Sequence, residues 1–273
     1  MSAKTIDSQD VTVYEKSETI EEWAQTFYHP LAVAHYDRAV AGMIKAMGVQ
    51  PGQTVLDAGC GTGVHSIRAA RLGCVMRSID ISEAMLNTAR KNAEQAKLET
   101  MPTFQQEDLT ELSLEDNSVD HAFSWGVMVH IRKIEKALAE LVRVVKPGGS
   151  IALQITNTSA IDHKIEDTAR KLLRGKKPLN VTKHPLGDGY AWEWNGSEIF
   201  TWRNNAKAIA KHLADEHGAT LTTRRISEMT ELQQRFPGFM AAPIHVVNAL
   251  AWKLGMPAAV GVTQLLVFKT KAD

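Results

Sequence analysis

The sequence predicts an α/β fold, a mostly parallel sheet with helices on both faces. Three observations predict it. Between Gln53 and about Thr156, strand-like and helix-like stretches alternate, and strands joined by helical crossovers form a parallel sheet. The first of these strands, Thr54-Val55-Leu56-Asp57, runs into a glycine turn that opens a helix. The chain has 273 residues, 44% hydrophobic and 23% charged, enough to bury a core without disulfides or metals.

In chain order, residues 1–20 are polar and are expected to be loose at the start. Trp23, Phe27 and Leu31, then Val40, Met43, Ile44 and Met47, recur at helical spacing. Pro51-Gly52 is a turn. After the first strand and its glycine turn comes a helix through Ile67, Ala70 and Leu72, ending near Gly73. A strand at Val75–Asp80 follows, and Ser82 caps a helix with Met85, Leu86 and Ala89 on one face. Short strands are expected at Thr103–Gln105 and Val119–Phe123. Ile134, Leu138, Leu141, Val142 and Val145 mark an amphipathic helix, stopped by Lys146-Pro147-Gly148-Gly149. Ile151–Ile155 is the next strand. The rhythm then breaks over residues 157–203, a stretch too aromatic for disorder because it holds Tyr190, Trp192, Trp194, Phe200 and Trp202. A helix at Ala206–His217, a strand at Ala219–Arg225, a helix near His245–Leu254 and a strand at Val262–Thr270 complete the chain. The expected division is a helical cap at 1–48, a core at 49–156, an inserted lid at 157–203 and a C-terminal completion of the sheet at 204–273.

Composition narrows the function. Lys+Arg and Asp+Glu number 31 each, so the chain has no bulk attraction for nucleic acid. Cys60 and Cys74 cannot form a disulfide framework or a cysteine-rich zinc site, and no His, Cys or acidic cluster has metal spacing, so no metal is expected. Met1–Asp7 lacks the apolar core of a signal peptide, and no apolar run approaches the ~18 residues of a membrane span. The expectation is a soluble, cytoplasmic protein, a monomer or homodimer.

The chemistry centres on Asp57-Ala58-Gly59-Cys60-Gly61-Thr62-Gly63. Glycines there permit a tight turn and close approach of a ligand to the backbone, and the helix that follows offers free N–H groups. The dinucleotide pattern needs a third glycine, which would fall on Val64 or Ser66, and no Gly-Lys-Ser/Thr follows for a nucleotide P-loop. Asp57 is badly placed beside a pyrophosphate but suits a ligand carrying an ammonium group; its alternative is a backbone hydrogen bond. Asp80 lies 17 residues beyond Gly63 at the end of the next strand, where a carboxylate accepts both ribose hydroxyls. Glu107-Asp108-Leu109 and Ser124-Trp125-Gly126-Val127-Met128-Val129-His130 follow the third and fourth strands.

In motif order and spacing, residues 21–156 resemble the class I S-adenosylmethionine-dependent methyltransferases. Asp57–Gly63 is similar to their glycine-rich motif, Ile79–Leu86 to their ribose motif, and Glu140–Gly149 to the segment after their fourth crossover helix. The resemblance implies a Rossmann-like seven-stranded sheet of order 3-2-1-4-5-7-6 with an antiparallel last hairpin, and S-adenosylmethionine as cofactor. It assigns Gly59, Cys60 and Gly61 to the cofactor's methionine end, with Asp57 behind them, Asp80 to its ribose, and Ile81, Asp108 and Leu109 to its adenine. It sets Trp125 near the methionine side, a core role being the alternative, and puts Tyr28 and Tyr36 in an N-terminal segment closing over the site.

Methyl transfer is an in-line displacement in which alignment and water exclusion carry much of the rate. An alcohol or ammonium acceptor also has a proton to lose. His130 is the first candidate base, with His29, His35 and His163 behind it. The Asn-Pro-Pro-Tyr pattern of enzymes acting on nucleobase or glutamine amino groups is absent. The expected acceptor is therefore an oxygen or nitrogen, ahead of carbon or sulfur, on a metabolite, natural product or lipid precursor. Phe236–Met240 and the insertion point to an enclosed, partly apolar pocket. Tyr190, Trp192 and Trp194 alternate, share a face if extended, and either line that pocket or plug a satellite core. The competing functions are a non-catalytic cofactor-binding module and a nucleotide-dependent oxidoreductase.

Overall fold

The computed structural model describes residues 12–21, 30–173, 181–194, 196–231 and 238–272. Seven strands form the main sheet: β1 (Thr54–Ala58), β2 (Val75–Asp80), β3 (Thr103–Gln106), β4 (Val119–Trp125), β5 (Val145–Thr156), β9 (Thr220–Glu228) and β10 (Thr263–Lys269). Their order is β3-β2-β1-β4-β5-β10-β9, which is 3-2-1-4-5-7-6 when the strands of this sheet are counted alone. β1 pairs in parallel with β2 and β4, whereas β10 runs antiparallel to both β5 and β9.

The covering helices are α1 (Pro30–Met47), α2 (Val64–Ala70), α3 (Glu83–Gln95), α4 (Ile134–Val144), α5 (Ile161–Leu173), α6 (Ala206–His217) and α7 (Gly238–Leu254). Strand alternation splits the core in two. Leu56 and Ala122 join Leu138 and Leu141 of α4 and Ile209 and Leu213 of α6 on one face. Val55 and Phe123 join Val40, Met43 and Met47 of α1 and Trp252 of α7 on the other. A fully buried Leu or Met contributes roughly 1.5–3 kcal/mol, so both faces are needed to hold the sheet. Ser82 caps α3, its Oγ accepting from Met85 N–H at 3.1 Å. Gly218 ends α6 in the left-handed conformation.

The described residues of 157–203 have more regular structure than the sequence pattern suggests. They contain helix α5 and a second, antiparallel sheet in the order β6-β7-β8, from β6 (Val181–His184), β7 (Gly187–Trp194) and β8 (Ser197–Asn204). β8 fastens this sheet to the core. Phe200 and Trp202 are buried with the α4-side cluster, and Trp202 N–H and Nε1–H donate to the carbonyls of Val129 and Ile131, each at 2.7 Å.

Of the segment expected to be loose at its start, residues 1–11 lie outside the described residues. Thr12–Glu15 form a 3-10 turn whose Val13 and Tyr14 are buried. Ser82 Oγ–H donates to the Tyr14 carbonyl and Lys16 Nζ to Ser197 Oγ, so the turn is tied to both α3 and the inserted sheet. Among the described residues, no helix is long and apolar enough to cross a membrane.

Candidate active site

Open α/β sheets bind ligands outside the carboxyl ends of their strands, where the strand order reverses. β1 and β4 diverge at that point, and a cleft of about 640 Å³, part of it open to solvent, lies there. Its walls include Gly59, Gly61, Asp80, Ile81, Asp108, Leu109 and His130. Seven of the residues expected at the site are thus brought to one cleft from the ends of four strands.

The local geometry follows from residue type. Gly59 has φ +86, and a Cβ on it would lie 2.4 Å from Val127 Cγ2. Any side chain there is both strained and blocked. Gly61 has φ +52 and nothing within 4 Å of its would-be Cβ, so its backbone faces open space. Asp80 fixes this loop: its Oδ2 accepts from Gly61 N–H at 2.8 Å, while Oδ1 accepts from Ser82 N–H at 3.0 Å. Burial raises the Asp80 pKa and these backbone donors oppose the rise. Asp108 turns one oxygen inward to its own loop, accepting from Thr110 N–H and Oγ1–H, both at 2.8 Å, while the residue still lines the cleft.

His130 sits where the loop after β4 meets the insertion. Its Nδ1 lies 2.9 Å from the Phe200 carbonyl of β8. A carbonyl can only accept, so Nδ1 carries the proton and Nε2 is the acceptor nitrogen of the neutral ring. Burial lowers the His130 pKa, with the Phe200 bond opposing that fall.

Other expected residues lie elsewhere. Asp57 is buried beneath the loop, its Oδ2 accepting from Ser66 Oγ–H at 2.5 Å; burial pushes its pKa up to about 7. Cys60 is buried, which holds its thiol well above the ordinary range. Tyr36 and Trp125 come together on the α1 side of the sheet. The Tyr36 hydroxyl donates to Glu228 Oε1 at 2.8 Å, and its ring meets those of Trp125 and His65 edge-on. His35 packs beside Tyr36 and Trp252, and burial lowers its pKa to about 4. His163 lies on α5, with Nδ1 3.0 Å from the Asn157 carbonyl. Tyr28, His29, Phe236 and Pro237 lie outside the described residues.

The structure does not bring Tyr190, Trp192 and Trp194 to the cleft. They share a face of β7, but it is the face turned away from Phe200 and Trp202. Trp194 packs on Val13, Tyr14 and Ile199, Trp192 is 41% exposed with Nε1–H on Thr201 Oγ1, and Arg203 lies over the Tyr190 ring at 5.4 Å. Trp194→Ala is therefore expected to cost about 1–2 kcal/mol of stability and Trp192→Ala under about 1 kcal/mol, read from denaturant melts of both variants. Equal, large losses would contradict this placement.

Sequence reasoning missed Tyr14, Met85, Val127 and Ile131, which also line the cleft. Met85 and Val127 stand inside motifs that the sequence displayed. Tyr14 carried no periodic or motif signal; only its packing reveals it.

Residues 56–153 match the methyltransferase domain family. The chain is 29% identical over 218 residues to a malonyl-[acyl-carrier protein] O-methyltransferase of Buchnera aphidicola, covering 73% of this chain and 86% of that protein. Residues 56–153 thus form a methyltransferase domain, in keeping with the resemblance of the motifs to the class I S-adenosylmethionine-dependent methyltransferases. S-adenosylmethionine is the cofactor that this resemblance implies. This methyltransferase is also 30% identical to methyltransferase GfsG of Streptomyces halstedii, over 56% of this chain and 54% of that one. It matches a sterol 24-C-methyltransferase of Gibberella zeae at 32% over 46% of this chain, spanning only 35% of the sterol enzyme. In fold, it resembles the magnesium protoporphyrin IX methyltransferase of Synechocystis PCC 6803 crystallised with bound SAH. That match has a TM-score of 0.64 and 16% identity, and covers 95% of this chain and 97% of that one.

Proposed function

We propose that this methyltransferase moves the methyl group of S-adenosylmethionine to an oxygen or nitrogen of a small molecule, with His130 as the base. The observation that carries the proposal is the His130 ring in the wall of the cleft, whose Nδ1–H donates to the Phe200 carbonyl and so makes Nε2 the basic nitrogen of the neutral ring. A nitrogen in that state would take the proton from a hydroxyl or ammonium acceptor and so free the lone pair that bonds to the cofactor's methyl carbon as its carbon–sulfur bond breaks.

The chemistry of the cleft suits the cofactor. Gly61 gives an open backbone cradle, Asp80 a carboxylate whose oxygens retain acceptor capacity for a ribose diol, and Ile81, Leu109 and Ile131 apolar surface for a purine ring. Asp108 supplies an acceptor beside that surface. When bound, the cofactor supplies an electrophilic methyl; the chain's own residues orient it and exclude water. The substrates for which those relatives are named, a malonyl-[acyl-carrier protein] and a sterol, support an acceptor drawn from metabolites, natural products or lipid precursors.

A screen of such acceptors for S-adenosylhomocysteine release tests the proposal. Turnover with an alcohol or amine acceptor is the expected result; turnover confined to carbon acceptors would overturn the proposal, and turnover confined to carboxylates, which have no proton to lose at neutral pH, would remove His130 as the base. Within the same site, Asp80→Ala is expected to weaken S-adenosylhomocysteine binding by about 10- to 100-fold. The variant loses a charge-assisted contact worth roughly 1.5–3 kcal/mol and also the acceptor that fixes Gly61 N–H. Titration calorimetry checks it, and unchanged affinity would remove Asp80 from the site.

A further inference from the structure

Three buried polar side chains on three elements form one hydrogen-bonded chain beneath the glycine loop. Ser78 Oγ–H, on β2, donates to Ser66 Oγ at 2.9 Å, and Ser66 Oγ–H, on α2, donates to Asp57 Oδ2 at 2.5 Å. All three are at most 1% exposed. Burying such groups is costly unless each is satisfied, and a carboxylate there has no cation for a partner among its electrostatic neighbours. The arrangement also lies next to the cleft, because Gly59, two residues after Asp57, is part of its wall.

We propose that Ser66, oriented by Ser78, is a positioning residue that favours the charged form of Asp57 beneath the glycine loop, and through that charge strengthens binding of the ammonium end of the cofactor. The proposal rests on the cofactor reading above and adds to it the residues that set the charge of Asp57. A hydrogen bond to the charged form of an acid favours that form, and removing it favours the neutral one.

The groups around Asp57 leave Ser66 as the adjustable one. Asp80, on β2, and the Cys60 thiol, in the loop, are its acidic neighbours, and Asp80 raises its pKa. From α2, His65 turns to the Tyr36 and Trp125 rings and Arg68 to Asp37 of α1. β4 sets the apolar Phe123 beside it in register. With burial pushing Asp57 to about 7 even in the presence of its serine donor, loss of the hydroxyl leaves the acid protonated at neutral pH. An ammonium-bearing ligand should then bind well only at higher pH.

The test is calorimetric binding of S-adenosylhomocysteine between about pH 6 and 10, with 5′-methylthioadenosine, which lacks the amino-acid end, as control. In the native protein, S-adenosylhomocysteine affinity is expected to fall as pH drops through about 7. In Ser66→Ala the midpoint of that fall should move up by about one to two pH units, while 5′-methylthioadenosine shows no step in either protein. Ser66→Thr, which keeps a hydroxyl, should restore the native midpoint, and Ser78→Ala should move it the same way by less. If Ser66→Ala does not fold, Ser78→Ala carries the test. An unmoved midpoint in these variants, or an equal loss for both ligands at every pH, would overturn the proposal in favour of simple packing. Native protein that binds S-adenosylhomocysteine equally at every pH would overturn it alone; native protein that never binds it would overturn the cofactor reading as well.

Discussion

Trp202→Ala is expected to cost about 3–5 kcal/mol of stability, the range for truncating a buried aromatic. Trp202 is 4% exposed, and its ring packs edge-on against Phe200 with centroids 4.9 Å apart. The variant also leaves the Ile131 carbonyl without the Nε1–H donor it has at 2.7 Å, and an orphaned buried acceptor adds to the loss. The damage should be felt in two places. Trp202 joins the inserted sheet to the α4-side core, and its backbone N–H holds Val129 at 2.7 Å, next to His130. Urea unfolding followed by circular dichroism gives the stability. A loss under 1 kcal/mol would mean that the insertion is not anchored by β8.

How much of this was legible in the sequence depends on how local the signal was. α4 and α6 were readable almost to the residue because their apolar positions repeat at helical spacing and a glycine ends α6. β2 was readable because the acid that ends it and the Ser82 cap that follows bracket it. The cleft was legible where a backbone requirement selects the residue, as at Gly59 and Gly61, or where an acid must terminate a strand, as at Asp80. Tyr14 was illegible because nothing in a polar stretch says that a tyrosine will lie across a cleft. α5 was not read although Ile161 and Ile165 stand one helical turn apart, because the stretch was judged as a whole by its aromatic residues; both isoleucines are exposed. Tyr190, Trp192 and Trp194 were correctly read as sharing one face of an extended strand. Which face turns to the core was decided by Phe200 and Trp202 of the neighbouring strand, a pairing that alternation within β7 does not contain.

His130→Ala is expected to lower the methyl-transfer rate by about 10²–10⁴-fold, the usual contribution of a positioned acid–base group, while changing S-adenosylhomocysteine affinity only a few-fold. The two effects separate because the ring's Nε2 is assigned to the acceptor's proton and the cofactor contacts are assigned to Gly61, Asp80 and Asp108. The pH dependence supplies a second reading. A base must be unprotonated to act, and burial lowers the His130 pKa below the ordinary histidine value of 6.5. With cofactor kept saturating at every pH, the native rate should therefore hold its plateau as pH falls through 6.5 and decline only below it. The variant should lose that limb, since no group is left to protonate. His130→Gln sharpens the distinction, because an amide can donate to the Phe200 carbonyl but cannot take a proton at neutral pH. If His130 only braces the loop against β8, glutamine should recover most of the rate. If it is the base, glutamine should remain as slow as alanine, and recovery would reduce methyl transfer in this protein to alignment alone.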